Sequence, residues 1–451
     1  MINPLIADQN QILSVGRERM NRKGLIINKK LLIGILLIVI ISIAIFTFCI
    51  LKPTIMKEKN ILVISEEEAR EKLSQVKVAV LYEKITDGIY CKSPYRSLDG
   101  IITLLKETKT DFIFRGWWRW SPCPESPETA PSPLYYKRGY TYQQLEETLA
   151  QIKSELPDII FCGAIPAQRI NFEEKNPITG KTYGKDETWD MALDPAKWGI
   201  TNVSKKDLQE YFQEHGTGKN GYYPDITNPE FQKLLLGWAE KQIDCGADAI
   251  WIDGLYGQAR ILRGITKDSN HPAVKESYEA ASEIIDKIHN YGYSKGKYIY
   301  VGTWWNFVEF PYSPPKVDFV TMTPSVEEVI SMRLDESRWD KEIKEIRDEL
   351  GDIPIFVFID WADTTDTPLG KFSQALTPEE QKEFLKIVDK FFQERGINFI
   401  YPLHGGYMGE KAIITSFDNE RIYDSIAPEF YTYKTIVELA QNKSTVKKVS
   451  V

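Results

Sequence analysis

Eight short, β-rich apolar runs recur along this chain, at 76–82, 111–114, 158–164, 247–253, 297–303, 317–322, 353–359 and 397–401. Amphipathic helical stretches separate most of them, at 142–156, 229–245, 272–291, 336–350 and 378–395. Strand and helix in alternation imply a parallel sheet joined by crossover helices. Eight repeats over this length predict a closed (β/α)₈ barrel over 76–440 rather than an open, doubly wound sheet. No GxGxxG or Walker glycine pattern opens a helix, which argues against a nucleotide-binding sheet. Two connections are long. One runs from Pro166 to Tyr223, the other from Arg115 to Tyr140, and loops of this length tend to be functional or disordered.

The 451 residues carry a net charge of −8, and 43% are hydrophobic, which suits a large folded domain and gives no support to nucleic-acid binding. Leu31 to Leu51 reads LLIGILLIVIISIAIFTFCIL without a charge. A run of about 20 apolar residues spans a bilayer. A cleaved signal peptide would have a shorter apolar region, about 7–15 residues, ending in small residues. Arg17, Arg19, Arg22, Lys23, Lys29 and Lys30 precede the span, against Lys52, Lys57 and Lys59 after it. The expected organisation is a cytoplasmic segment 1–30, a single-pass membrane anchor 31–51, a stalk with a short helix 52–75, the barrel 76–440 outside the cytoplasm, and a polar tail 441–451. Ser65-Glu66-Glu67-Glu68 is the capping box that opens the short helix. Five cysteines include Cys91 and Cys123, which follow the first two runs and could be bridged, and no Cys/His spacing suggests zinc. Nothing in the sequence points to a metal or a cofactor.

The ends of the eight runs gather polar chemistry. They offer Glu83, then Arg115 with Trp117, Trp118 and Trp120, then Gln168 and Arg169, then Asp253. Next come Trp304, Trp305, Asn306 and Glu309, then Thr323 with Glu327 and Glu328, then Asp360, Trp361 and Asp363, and last His404 before Gly405-Gly406. In such barrels catalytic groups come from the C-terminal ends of the strands. In Ala249-Ile250-Trp251-Ile252-Asp253, period-2 alternation sends Ile250 and Ile252 to the outer helices and Trp251 and Asp253 inward. Taken alone, Asp253 could equally cap the following turn. Paired carboxylates between aromatic walls are the kit for cleaving a glycosidic bond. On that reading Asp253 is the nucleophile, with Glu309 first, Asp360 second and Glu327 third as acid. Arg115, Trp117, Trp304, Trp305, Trp361 and His404 are then the substrate-binding candidates. Arg115 in a structural ion pair and His404 as a buried imidazole are the plain alternatives.

Tyr223-Pro224-Asp225-Ile226-Thr227-Asn228-Pro229-Glu230, then a helix, then Gly246-Ala247-Asp248-Ala249-Ile250-Trp251-Ile252-Asp253, resembles retaining TIM-barrel glycoside hydrolases of families 31 and 36 and related glycosidases. In family 31 a similar "P-D-F-T-N-P" phrase precedes a helix and a "G-x-D-G-I-W-x-D" strand whose last Asp is the nucleophile. The resemblance spans about a tenth of the chain. It implies the fold, the nucleophile role for Asp253, and a turn-fixing role for Asp225. After Asp253 the chain reads Gly254-Leu255-Tyr256 rather than Met-Asn-Glu, so no named substrate carries over. The expected function is a membrane-anchored, externally facing glycoside hydrolase acting on an oligo- or polysaccharide. The alternatives are a non-catalytic carbohydrate-binding or cell-envelope protein on the same scaffold, and a hydrolase of another bond.

Overall fold

The structure, a computed structural model, describes residues 64–86, 97–130, 140–216 and 218–445. All eight expected strands form: β1 (Ala79–Tyr82), β2 (Phe112–Trp118), β3 (Ile160–Pro166), β4 (Ala249–Asp253), β5 (Tyr300–Trp304), β6 (Phe319–Met322), β7 (Ile355–Val357) and β8 (Asn398–Tyr407). Each pairs in parallel with the next, and β1 pairs with β8, so the sheet closes into a (β/α)₈ barrel. A ninth strand, β9 (Ile422–Asp424), runs antiparallel against the end of β8.

Helices α1 (Glu66–Ser74), α2 (Leu98–Glu107), α3 (Tyr142–Glu155), α4 (Pro229–Asp244), α5 (Gly257–Thr266), α6 (Pro272–Ser294), α7 (Glu336–Leu350), α8 (Pro368–Gln374), α9 (Pro378–Gln393) and α10 (Tyr433–Thr445) follow in chain order. Their starts are written locally. Proline opens α4, α6 and α9, where its missing N–H costs nothing. The Asn228 side chain accepts the N–H groups of Glu230 and Phe231, and Thr377 with Glu380 forms a capping box. The apolar stripe of α4, including Phe231, Leu234, Leu235 and Trp238, is buried against the outer face of the sheet.

Two shells of core result. Ile250 and Ile252 of β4 join the outer shell, whereas Ala249 and Trp251 join the inner one, as the alternation requires. Aromatic rings fill the barrel in tiers. Phe112 packs on Phe319 and Phe356 at 5.7 and 4.9 Å, and above them Phe114 and Trp251 pack on Phe358. Gly302 makes room for this filling, since a Cβ there would stand 2.1 Å from the Phe319 ring. The expected capping box at Ser65 and Glu68 is present, and its helix α1 plugs the N-terminal mouth of the barrel. Ala69, Leu73 and Val76 belong to the inner shell, and the Tyr300 hydroxyl donates to the Ala69 carbonyl.

The aspartates at the strand starts do more than turn the chain. Asp111 accepts the N–H groups of Lys77 and Val78, Asp248 that of Phe161, and Asp318 that of Val301. Each pins the neighbouring strand through its backbone. Asp225 accepts from the Thr227 N–H, the Thr227 hydroxyl and Gln258, which fixes the turn before α4.

The long 166–223 connection is ordered by two short antiparallel pairings, Ile170–Asn171 with Gly221–Tyr222 and Glu174–Lys175 with Thr182–Tyr183. It is tied to the barrel by a fork-to-fork pair between Arg119 and Glu174, both buried, with the Arg119 guanidinium 3.8 Å from the Trp238 ring centre. Losing one member of such a pair costs about 3–5 kcal/mol, because the other charge stays buried alone. At the far end α10 runs to Thr445. Lys443, in its last turn, pairs with Asp389 at 2.7 Å and lies over the Tyr401 ring.

Among the described residues no helix is long and apolar enough to cross a membrane. The Leu31–Leu51 run lies outside the described residues, as does Cys91, the expected partner of Cys123.

Candidate active site

Arg115 is the residue around which the C-terminal rim is organised. Ile113 pairs with Phe161, yet Trp117 pairs with Gly163, so β2 advances four residues against two on β3. Arg115 takes up the slack in the left-handed region, with φ +51°, a conformation that costs a non-glycine residue about 1–2 kcal/mol. The bulge turns Arg115 inward directly after the inward Phe114. Its guanidinium lies over the rings of Trp118, Trp361 and Trp251 at 4.7, 4.9 and 5.1 Å. Below it Trp251, Phe114 and Phe358 form the floor.

Glu83, just past β1, holds the guanidinium in place. Its Oε1 lies 3.0 Å from Arg115 Nη2 and accepts from Trp361 Nε1, and its Oε2 accepts the Gly406 N–H. Arg115 Nη1 then reaches Asp360, just past β7, at 3.6 Å. The Asp360 N–H donates to Thr323 Oγ1, which ties the end of β7 to that of β6. Burial pushes the Asp360 carboxyl up to about 7; Arg115 opposes the shift, and the negative charge of Asp253 adds to it.

Asp253 stands at the end of β4, half-buried. Gln168 Nε2 donates to one oxygen at 2.6 Å and Trp304 Nε1 to the other at 2.7 Å. The chain leaves the site through Gly254 at φ +65°, where a Cβ would stand 2.5 Å from Gln168 Oε1. Asp253 and Asp360 line one cleft of about 680 Å³, with Arg115, Trp118, Trp120, Trp304, Asn306 and Trp361 among its walls. Glu214 and His215, from the 166–223 connection, close one side.

Of the residues singled out in the sequence, the structure brings together Asp253, Asp360, Arg115, Trp304 and Trp361. It does not bring Glu309 to them. A 3₁₀ turn, Trp305–Glu309, carries that carboxylate outward to the Arg263 guanidinium at 2.7 Å. Trp305, on the same turn, packs against the outer shell rather than the cleft. Trp117 faces the helices, buried and stacked on Tyr140 at 4.8 Å, while its neighbour Trp118 takes the wall position. His404 is buried behind the rim, 5.0 Å from the Tyr82 ring and 3.5 Å from Asp424. Glu327 is exposed on the helix Val326–Ser331, and Glu328 beside it is a buried acceptor for Arg338 and Trp339. Sequence reasoning gave no role to Gln168 or Glu83, and it passed over Arg260, which also lines the cleft. The helical spacing from Gly257 to Arg260 is the one signal that could have flagged it.

One carboxylate held by two N–H donors, a second carboxyl raised to about 7, and ring walls between them can perform acid-assisted displacement at an acetal carbon.

No protein-family model matches the chain. No curated protein matches it either. Among solved structures it is similar to the glycoside hydrolase domain of PelA from Pseudomonas aeruginosa, at 11% identity over 72% of this chain and 95% of that one, with a TM-score of 0.39. It is similar to an alpha-amylase from H. orenii at 13% identity over 82% of each chain, TM-score 0.46. It is similar to Amy13B of Eubacterium rectale at 11% identity over 83% and 82%, TM-score 0.46. At these scores the likenesses decide nothing about this chain's chemistry, which rests on its own residues.

Proposed function

We propose that this protein is a retaining glycoside hydrolase in which Asp253 is the nucleophile and Asp360 the acid and base. The observation that carries the reading is the Asp253–Asp360 pair in one ring-walled cleft, with Asp360 raised to about 7. In the first step the carboxylate of Asp253 forms a bond to the anomeric carbon. The bond from that carbon to the leaving oxygen breaks as Asp360 gives the oxygen its proton. In the second step Asp360 takes a proton from water, whose oxygen displaces Asp253 from the anomeric carbon. Asp360 replaces Glu309 as the first choice of acid, because Glu309 is turned away into its pair with Arg263.

The experiment is a panel of aryl glycosides and polysaccharides, followed by an activated fluoro-sugar on the substrate that is cleaved. The expected result is a covalent adduct on Asp253, located by mass spectrometry, and a first-formed product with the substrate's anomeric configuration. Inverted product would remove the nucleophile role from Asp253 and make it the base for water.

We further propose that the barrel is held outside the cytoplasm by Leu31–Leu51, on the strength of that uncharged run and the excess of cations before it. The full-length chain should stay with membranes through an alkaline carbonate wash, and deletion of Leu31–Leu51 should release it. Release of the intact chain would count against the anchor.

A further inference from the structure

The cleft does not end at the carboxylates. Gln168, Gly254, Gly257 and Arg260 line it and also line a shallow, open groove of about 750 Å³, so the two adjoin at the turn from β4 into α5. The charged residues lining the groove are Arg260, Arg263 and Lys267, all from α5 and its C-cap, and no acidic side chain is among them. Arg263 is engaged by Glu309. Among the described residues no carboxylate comes within 4 Å of Arg260 or Lys267. The first turn of α5 carries no acidic residue and its N-cap no side-chain hydrogen bond.

This local excess stands out in a chain whose net charge is −8. Arg260 and Lys267 are exposed and face the groove without a carboxylate partner among the described residues, so an anion there would meet two cations free to pair with it. The cleft itself also carries Asp253, Asp363 and Glu214, with Arg115 as its buried counter-charge, so an anion placed directly beside Asp253 would meet negative neighbours. This charge distribution favours a substrate that is neutral at the scissile bond and negative towards Arg260. The planar guanidinium of Arg260, on the wall common to cleft and groove, suits the paired oxygens of a carboxylate or an ester of sulfate or phosphate.

We propose that the substrate is an anionic glycan, bound with the charged group of the sugar next to the scissile bond against Arg260 and Lys267. The proposal rests on the glycosidase reading and names its substrate class. The test uses the full-length chain in detergent. A uronate oligosaccharide is compared with the same oligosaccharide after its carboxyls are reduced to alcohols, beside a sulfated and a neutral glycan. Binding and release of reducing ends are both measured.

The charged form should bind at least about tenfold more tightly than its reduced twin. Arg260→Gln with Lys267→Gln should remove most of that advantage, raising KM for the charged substrate more than it lowers kcat. Moving from 50 to 500 mM salt should erode it too. Preference among the charged glycans identifies a carboxylate or a sulfate as the group recognised. Equal binding of charged and reduced forms, or no loss in the double variant with its thermal unfolding intact, overturns the inference. In that case cleavage that depends on Asp253 would leave the glycosidase reading standing. Charge-selective binding that needs Arg260, without cleavage of any glycan, supports the subsite and overturns the hydrolase instead.

Discussion

Asp253→Asn should abolish turnover, by about 10⁴-fold or more, and leave the barrel folded. An amide cannot supply the electron pair that bonds to the anomeric carbon, and it is the same size as the carboxylate it replaces. The fold survives for a specific reason. Asp253 accepts from both Gln168 and Trp304, so an Asn there turns one of its N–H groups against a donor. Gln168 Oε1 makes no hydrogen bond among the described residues. A flip of the Gln168 amide would offer that oxygen to the new N–H and restore the second bond. The expected loss of stability is therefore below the about 1–3 kcal/mol of an unsatisfied polar group. Rates on the cleaved glycoside, beside thermal unfolding, check both halves. A variant within tenfold of the parent rate would end the nucleophile assignment.

Asp360→Asn carries the second large effect, and its sign follows from the raised pKa. An acid catalyst must hold its proton, so activity of the parent should fall as pH rises through about 7. The Asn variant should lose this alkaline limb. It should slow glycosides with poor leaving groups by about 10²–10⁴-fold and activated aryl glycosides far less, since only the former need protonation. Stability should follow the same direction with pH. Burial raises Asp360, so the folded state keeps a proton that the unfolded chain releases above about pH 4. That contribution is complete below about pH 4 and is lost as pH climbs through about 7. The parent should therefore melt earlier at pH 8 than at pH 5 by a margin that Asp360→Asn reduces. An alkaline limb retained in the variant would place the acid elsewhere.

Local pattern in the chain was enough to specify the elements and one half of the site. Apolar runs of period 2, proline and asparagine at helix starts, and the Ser65–Glu68 capping box each act within a few residues, so they can be read in order. Asp253 was legible on the same ground. Its inward direction follows from counting along β4, and its height from its place at the strand end.

Which groups face Asp253 was settled only by the closed barrel. Asp360 shares its cleft because ring closure brings the end of β7 over the same floor as the end of β4, and no spacing in the sequence encodes that. Glu309, nearer in the chain, is lost because a single 3₁₀ turn swings it out to Arg263. Arg115 would point outward with Ile113 if β2 alternated without a break. A positive φ at a non-glycine residue turns it in, and no rule of composition announces such a residue. The carboxyl of Asp360 is raised by burial, by Asp253 and, in lesser part, by Glu83, with Arg115 opposing. These groups come from β1, β2, β4 and β7 and meet only at the rim. Chain order decides what a segment becomes, because that is a matter of neighbours within a turn or two. The chemistry depends on charges and rings from distant segments sharing a few ångströms of low-dielectric space, and only the tertiary fold creates that space.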